Sequence, residues 1–328
     1  MKSPTRVVTL TLHPAIDRVV KIQTMRPGGT FDGRSELTLP AGKGVNTARV
    51  LGSLCGSEHR IIAAAWTGEN EASFFKTKLR ELNAIDCLIC PRAVPTRFAQ
   101  TYLEADGRET HIKESMPAPT PAESRAFLAF WEKTVRPGDL VAVCGSAPKG
   151  TTIAFLKSVF RIAHERGISA IVADTNGPAL TVAARSSISL LKGNALELGE
   201  LLELDTTFQM NNPAHRIRIL DFLSTKNAPQ KVLITLGAEG ALLVSSQGIF
   251  HGQIDATHFT HTIVSTTGCG DAATAGAVWG MLLESSDEHL LRRAVACGGA
   301  KTLSEDPGAI SLKSVRRFVR YCLLKPLA

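Results

Sequence analysis

The sequence predicts a three-layer α/β/α protein, with a mainly parallel central sheet between two layers of helices and a small β lid. The first observation is that short apolar strands alternate with helices through the second half of the chain. Strands that are apolar on both faces are typical of parallel sheets covered by helices on both sides. The second observation is two extended, half-polar stretches, at about 17–40 and 96–115. We expect these two stretches to form the lid.

The first half of the chain is predicted to supply a buried strand, a helix that follows a glycine turn, and the lid. Its strands are short and its helices carry apolar stripes. The predicted strands are 6–12, 19–22, 35–39 and 61–65, and the predicted helices begin near 45, 71 and 122. The pair Asp106-Gly107 predicts a hairpin in the second lid stretch.

The second half repeats one pattern four times: a short apolar strand ends in glycine and polar residues. These strands are predicted at 140–144, 170–173, 188–191 and 231–235, and helices at 151–166, 271–283, 289–303 and 311–324. Ligands of parallel sheets bind beyond the carboxyl ends of the strands, so we expect the functional site there. The sequence contains no internal repeat and no long linker, and we expect a single domain over 1–328.

Composition favours a globular protein that binds small anions. The 328 residues are 44% hydrophobic and 20% charged, and 37 Lys and Arg against 30 Asp and Glu give a net charge of +7. The only basic cluster, at 313–320, has helical spacing and fits the solvated face of a helix, so nucleic-acid binding is not favoured. A metal site is not expected at Cys87 and Cys90, because a second CxxC pair is missing.

Localisation is predicted to be cytoplasmic. Seven cysteines are an odd number, as expected for reduced thiols of a cytosolic protein. The N-terminal residues form a β-like alternation rather than a signal peptide, and no apolar run reaches the 18 residues of a membrane span.

The stretch 265–276, STTGCGDAATAG, is the most informative motif. Gly268 and Gly270 flank one small residue, and Asp271 follows at the start of an apolar helix. Glycine permits backbone conformations that other residues avoid, and the first amides of a helix lack an intrahelical partner, so such a turn can bind an anion. An N-capped helix behind a flexible loop explains the same residues. The motif alone leaves both interpretations open.

A second glycine turn lies in 41–56, AGKGVNTARVLGSLCG. Gly42, Lys43 and Gly44 precede Asn46 and a helix. This is not a Walker A loop, which needs four residues between its first glycine and Gly-Lys, followed by Ser or Thr. A Rossmann dehydrogenase is also disfavoured, because no GxGxxG follows the first strand.

These motifs resemble those of the PfkB branch of the ribokinase-like sugar kinases, in the family's order and over nearly the whole chain. AGKGVNTARVLGSLCG and STTGCGDAATAG match the two family signatures, and VRPGDLVAVCGSAPKG, KGNALEL and VLITLGAEGA match the pieces between them. TLTLHPAID and the pair Thr96-Arg97 are similar to the phosphosugar subgroup, which contains 1-phosphofructokinase, tagatose-6-phosphate kinase and the minor 6-phosphofructokinase. That subgroup typically has Asn where this chain has His13.

The resemblance implies a role for each motif residue. Asp271 would be the catalytic base, and the amides of Gly268, Cys269, Gly270 and Asp271 would form an anion hole. The residues implied to bind the sugar phosphate are Asp17, Gly42, Lys43, Asn46 and Arg97. The residues implied to bind the nucleotide are Lys192, Asn194, Glu197, Thr235, Gly237 and Gly240, with Glu197 organising Mg²⁺ through water.

Simpler explanations exist for several of these residues. Lys43 and Arg97 fit solvated loop side chains, and Asn194 with Glu197 fits an ordinary helix N-terminus. Cys269 stands where the family usually has Ala or Ser. It is either a small filler or a thiol whose pKa the helix N-terminus lowers, which would make the protein sensitive to oxidation.

The resemblance implies a kinase that uses ATP and Mg²⁺ to phosphorylate a hydroxyl of a ketohexose phosphate. Fructose 1-phosphate is the first candidate, followed by tagatose 6-phosphate and fructose 6-phosphate. The alternatives are a kinase of a non-phosphorylated sugar or nucleoside, and a non-catalytic sugar-phosphate or nucleotide sensor on the same fold. A lid with one uncovered apolar face is poorly stable alone, so we expect a homodimer paired through the lids.

Overall fold

The computed structural model describes residues 6–83, 85–258 and 262–327. These residues form one sheet of ten strands, a second sheet of four strands, and the helices that cover the larger sheet. The elements before residue 140 are β1 (Arg6–Thr11), β2 (Ala15–Ile22), β3 (Gly33–Ala41), α1 (Lys43–Cys55), β4 (Arg60–Gly68), α2 (Ala72–Asn83), β5 (Asp86–Arg92), β6 (Arg97–Glu104), β7 (Glu109–Lys113) and α3 (Pro121–Thr134).

The rest of the chain contains mostly alternating strands and helices and ends in three helices and a strand. Its elements are β8 (Leu140–Cys144), α4 (Ile153–Glu165), β9 (Ala170–Asp174), α5 (Gly177–Ala183), β10 (Leu190–Asn194), α6 (Ala195–Leu201), α7 (Pro213–Leu223), β11 (Lys231–Thr235), β12 (Ala241–Ser245), β13 (Gly248–Ile254), α8 (Cys269–Leu282), α9 (Asp287–Lys301), α10 (Leu312–Tyr321) and β14 (Cys322–Leu327).

The strand order of the central sheet creates a crevice between β1 and β8. The order is β14-β13-β12-β11-β10-β9-β8-β1-β4-β5, with parallel pairing from β11 to β5 and antiparallel pairing from β11 to β14. From β1 the chain builds outward to β4 and β5, and from β8 it builds in the opposite direction. Ligands of open α/β sheets bind where the strand order reverses, beyond the carboxyl ends.

The register aligns the polar strand ends along one edge. Thr11 at the end of β1 is opposite Cys144 at the end of β8, and Cys144 is opposite Asp174 at the end of β9. Asn194 of β10 is opposite Thr235 of β11. The polar residues at the ends of these strands therefore lie along one edge of the sheet.

Two apolar cores lie on opposite faces of the sheet, which confirms the three-layer prediction. On β1, Val7 belongs to one core, while Val8 and Leu10 belong to the other. Helices α1, α2, α8, α9 and α10 contribute to the first core, and α3 to α7 contribute to the second. Alternate residues of a strand point to opposite faces, so strands apolar throughout need both helical layers.

Helix α8, which carries Asp271, is packed tightly against α9. A Cβ on Gly276 would lie 2.9 Å from Ala294 Cα, and one on Gly280 would lie 3.0 Å from Leu290 Cα. The small residues of α8 thus let the two helices approach closely.

The two helices α8 and α9 have 14 and 15 residues. No helix in the described ranges has the length and apolarity that crossing a membrane requires.

The small sheet has the order β3-β2-β6-β7 and comes from the two stretches predicted to form the lid. β2 pairs with β3 in antiparallel fashion and with β6 in parallel, so the sheet joins both stretches. Along β6 every residue except Glu104 is only half-buried. This sheet therefore leaves much of its surface uncovered within one chain.

Three antiparallel strands were not anticipated, and one predicted helix is too long. Helix α10 ends at Tyr321 rather than at residue 324, because 322–327 forms β14 and pairs with the otherwise free edge of β13. The apolar residues Leu323 and Leu324 fit a helix as well as a strand, and only the open edge of β13 decides between them. The other two antiparallel strands, β12 and β13, were also not predicted, and neither was the parallel edge strand β5.

Candidate active site

The turn before α8 presents free backbone amides. Gly268 is the N-cap residue and is left-handed, with φ of 86°. Within the described residues, the amides of Gly268, Gly270 and Asp271 donate no hydrogen bond, whereas the N–H of Cys269 donates to Thr266 O at 3.2 Å. Three of the four amides implied for the anion hole are therefore available, and that of Cys269 closes the turn instead.

Close approach explains both glycines of this turn. A Cβ on Gly268 would collide with the carbonyl group of Pro307, and its positive φ also disfavours other residues. A Cβ on Gly270 would lie 3.0 Å from Lys192 Nζ. The buried ammonium of Lys192 thus lies directly beside the turn, where it adds positive charge next to the free amides.

Asp271 lies at the start of α8, and among the described residues one side-chain donor holds its carboxylate. Its Oδ2 accepts a hydrogen bond of 2.8 Å from Asn46 Nδ2. The residue is 7% exposed. Burial, together with the negative charge of Asp174, raises the pKa of Asp271 to about 6, against the opposing effects of Asn46, Lys192 and Lys43. A carboxylate with this pKa is ionised at neutral pH and is a better proton acceptor than an ordinary aspartate.

Asp174 is a site residue that the sequence did not reveal. It is fully buried, and it accepts hydrogen bonds from Lys43 Nζ at 2.9 Å, Thr274 Oγ1 at 2.6 Å and Lys192 Nζ at 3.2 Å. Burial alone would raise its pKa, but the two lysines and Thr274 outweigh burial and hold the pKa of Asp174 below its ordinary value. Asp174 thereby fixes both ammonium groups beside the turn.

Lys43 is the first residue of α1, and its position depends on Gly42. Gly42 has φ of 119°, and a Cβ there would lie 2.7 Å from Thr11 Cγ2. The start of α1, which follows β3 in the chain, therefore packs against the end of β1 in space. Burial opposes the charge of Lys43, but Asp174 and Glu197 raise its pKa above the ordinary value. Lys43 is therefore a fixed cation of the crevice and not a solvated loop lysine.

A second polar group lies where the small sheet meets the central sheet. Ala15 of β2 is opposite Arg97 of β6, and Arg97 Nη2 donates to His13 O at 3.4 Å. Burial raises the pKa of Asp17 to about 6, while the positive charge of Arg97 lowers it. Asp17 and Arg97 are therefore brought together at the base of the predicted lid.

His13 belongs to the same group and is neutral at physiological pH. Burial and the nearby charges of Arg97 and Arg92 lower its pKa to about 4. Its Nδ1 lies 3.2 Å from Ser146 Oγ. His13 Nε2 and Arg97 Nε are buried and have no hydrogen-bond partner among the residues described. Both atoms could serve a polar ligand between the sheets.

The cavity next to this edge fits a nucleotide in size and contains three of the predicted residues. Its volume is about 640 Å³, and Asn194, Thr235 and Gly237 line it together with Phe208 and Leu196. Ligand sites typically measure about 300–1,000 Å³. Gly240 does not line the cavity but turns the chain, with φ of 83° and a close approach to the backbone of Gly252. Lys192 is turned toward Asp174 instead.

Asn194 and Glu197 form a capping box at the start of α6, as their simpler explanation predicts. Asn194 Oδ1 accepts from the Glu197 amide and Glu197 Oε2 accepts from the Asn194 amide, each at 2.9 Å. Glu197 Oε1 lies 3.8 Å from Lys43 Nζ, so the other oxygen faces the crevice. The parts of the chain that are described hold no cluster of three or more His, Cys, Asp or Glu placed to bind a metal.

Cys269 is half-buried at the start of α8. Burial raises the pKa of its thiol, and the charge of Lys301 only partly opposes this effect. A reactive thiolate needs a lowered pKa. The raised pKa of the thiol favours Cys269 as a small filler of the turn rather than an oxidation-sensitive thiol.

Comparison with known proteins gives the family. The model of the pfkB family carbohydrate kinases matches residues 13–313. The chain belongs to the pfkB family of carbohydrate kinases. The resemblance of the sequence motifs to this family is thus confirmed, and so is the prediction of a phosphotransferase that acts on an alcohol group.

Named relatives match over nearly their whole length. The chain is 24% identical to 1-phosphofructokinase of Bacillus subtilis, over 92% of this chain and 94% of that protein. It is 26% identical to tagatose-6-phosphate kinase of Staphylococcus epidermidis, over 93% and 94%. It also resembles the structure of phosphofructokinase-2 from Escherichia coli in complex with fructose-6-phosphate, with a TM-score of 0.83, 23% identity, and coverage of 97% and 99%. That structural likeness supports the fold.

Proposed function

We propose that this carbohydrate kinase transfers the γ-phosphoryl group of ATP to a hydroxyl of a ketohexose phosphate. The observation that carries the proposal is Asp271, a buried carboxylate with a pKa of about 6 next to three free amides of the α8 turn. Phosphoryl transfer needs an acceptor hydroxyl in position, stabilisation of charge on the transferred group, and a proton acceptor. One edge of the sheet presents groups for all three.

Asp271 would orient the acceptor hydroxyl and take its proton. The bond between the γ-phosphorus and its bridging oxygen breaks as the bond to the sugar oxygen forms, ADP leaves, and the proton moves to Asp271. Asn46 fixes the carboxylate through its hydrogen bond to Oδ2. General-base help of this kind contributes roughly 10² to 10⁴ in rate.

The free amides of Gly268, Gly270 and Asp271 would stabilise negative charge on the transferred group, with Lys192 close by. Fixed donors of this kind contribute about 10² to 10³ each in rate, because they need no reorganisation as the charge develops. Asp174 neutralises part of the lysine charge, but its main effect is to hold the ammonium groups of Lys43 and Lys192 in place.

ATP would occupy the cavity of about 640 Å³ that Asn194, Thr235 and Gly237 line. Mg²⁺, when bound with ATP, supplies positive charge to the phosphates. It usually keeps several waters and takes only one or two protein carboxylates. Glu197 Oε1, which faces the crevice, fits this role through a bridging water.

The sugar phosphate would bind between the two sheets. Arg97 and Lys43 are the cations for its existing phosphate, since a guanidinium matches a phosphate with two donors. Asp17 is placed for sugar hydroxyls. The names of the relatives favour fructose 1-phosphate, followed by tagatose 6-phosphate. We further propose that the small sheet closes over the sugar and pairs with a second copy, since β6 is only half-buried along most of its length.

Purified protein, ATP and Mg²⁺ with a panel of sugars and sugar phosphates test the proposal through ADP release. We expect turnover with a ketohexose phosphate and little with the unphosphorylated sugar. Binding of ATP and sugar phosphate without formation of ADP would indicate a sensor instead.

Light scattering at micromolar protein concentration tests the proposed dimer. A monomer under those conditions would count against pairing through the small sheet.

A further inference from the structure

A basic cavity lies at the opposite end of the central sheet from the active site. It has a volume of about 870 Å³ and is formed by the amino ends of β1 and β4, the edge strand β5, α2 and the end of α3. β1 has six residues, so its two ends are roughly 16 Å apart. Six basic residues line the cavity: Arg6, Arg60, Lys76, Arg80, Lys133 and Arg136.

The positive charge of this cavity is not neutralised by its own acidic residues. The lining contains two of these, Glu81 and Asp86, so six basic residues against two acidic ones leave +4 of the chain's +7. Asp86 is paired with Arg60 at 2.6 Å, and Glu81 is paired with Lys78, outside the lining, at 2.9 Å. No ion pair within 4.0 Å involves Lys76, Arg80, Lys133 or Arg136 in the described part of the chain.

Arg6 shows that the cations crowd one another. Its Nε is buried and donates to no described residue, although its Nη2 donates to Thr134 O at 2.7 Å and lies 3.3 Å from Asp139 Oδ2. Burial lowers the pKa of Arg6, and so do the positive charges of Arg136 and Arg60, against the opposing effect of Asp139. An anion in the cavity would relieve this repulsion and give the free donor a partner.

The floor of the cavity is apolar. Ile62 and Ile85 are buried there, and Phe130 is half-buried beside them. A cavity with an apolar floor and several cations at its rim suits a small molecule that has both a carbon skeleton and several negative charges.

We propose that this cavity binds a small organic polyanion that carries two or more phosphate groups, at a site separate from the active site. Arg80 and Lys133 lie on α2 and α3, on opposite sides of the edge strand, and would contact different phosphate groups. Their side chains are exposed and form no ion pair with a described residue, so they can be replaced without disturbing the core.

Binding of inorganic tripolyphosphate in Mg²⁺-free buffer tests the proposal with a charge-only probe. Isothermal titration calorimetry would compare the wild-type chain with the double variant Arg80→Gln, Lys133→Gln. We expect the double variant to weaken binding by roughly tenfold or more, since hydrogen bonds to charged groups are strong. The control Lys313→Gln, Arg316→Gln removes the same charge from exposed positions of α10, near the other edge of the sheet, and should leave affinity unchanged.

Hydrogen exchange locates the probe. We expect tripolyphosphate to protect the peptides that contain 76–88 and 130–139 in the wild-type chain but not in the Arg80, Lys133 variant. Kinase activity without the probe should be equal in all three proteins, which separates this site from the proposed function. Equal affinity in both double variants, or protection confined to the α8 turn, would overturn the proposal. Tighter binding of hexaglutamate than of tripolyphosphate would also overturn it and would indicate an acidic peptide along β5.

Discussion

Replacement of Asp271 by Asn should abolish most turnover and at the same time stabilise the protein. The substitution keeps the size of the side chain and leaves an oxygen for the Asn46 hydrogen bond. It removes the proton acceptor and the buried negative charge. General-base loss predicts a decrease in kcat of roughly 10² to 10⁴.

The stability change follows from the pKa of about 6, compared with an ordinary value of 3.8. Because this pKa is raised by folding, protonation of Asp271 stabilises the folded protein. That stabilisation is fully present below about pH 3.8 and is lost as the pH rises through about 6. The difference corresponds to at most about 3 kcal/mol at neutral pH. The neutral Asn should recover part of this free energy at pH 7.5, and the gain should vanish toward pH 4.

Urea unfolding at pH 7.5 and pH 4.5, with a coupled assay of ADP release, measures both effects. Asp174→Asn is the matched control, because the pKa of Asp174 is lowered by folding. Its ionised form stabilises the protein above the ordinary pKa, and removing one partner of a buried ion pair costs about 3–5 kcal/mol. The two substitutions should therefore change the free energy of unfolding in opposite directions. Destabilisation by Asp271→Asn at pH 7.5, or near-wild-type turnover, would refute the reasoning.

Three further predictions concern pH, the sugar site and the thiol. The kcat of the wild-type enzyme should fall about tenfold per pH unit below the Asp271 pKa of about 6, and a flat profile from pH 5 to 8 would contradict this. Arg97→Ala should raise KM for the sugar phosphate roughly 10- to 100-fold with little change in KM for ATP, since a charge-assisted contact contributes about 1.5–3 kcal/mol; equal changes in both constants would remove Arg97 from phosphate binding. Cys269→Ala should retain kcat within about twofold, because the thiol pKa is raised and the residue fills space; strong loss of activity together with rapid iodoacetamide labelling of the wild-type thiol would restore the redox hypothesis.

Most of the fold was predictable because the parallel strands are apolar on both faces and alternate with helices. The antiparallel part was harder to predict. β14 carries residues that also suit the end of a helix. Its conformation is decided by the free edge of β13, which is a tertiary interaction that no local pattern contains.

The candidate site was only partly visible in the sequence. The glycine turns could be recognised because their residue types and spacing are unusual, and the structure brings Asp271, Asn46 and Lys43 to one edge. Asp174 was missed because its importance comes from partners distant in the chain: Lys43 lies 131 residues away and Thr274 lies 100 residues away. A carboxylate at the end of an apolar strand, in DTNG, was the one available signal.

The engagement of the Cys269 amide could not be predicted either. A glycine turn at a helix start indicates several free amides, but which of them closes the turn depends on the backbone angles of the loop. The left-handed Gly268 lets the Cys269 N–H reach Thr266 O, which leaves the other three amides free.

Phosphorus NMR of the wild-type protein with ATP, Mg²⁺ and fructose 1-phosphate tests the central claim most directly. The account predicts that ADP and a new phosphomonoester on the sugar appear in equal amounts, and that Asp271→Asn suppresses both. ADP with inorganic phosphate and no new sugar phosphate, for every ketohexose phosphate tried, would contradict it.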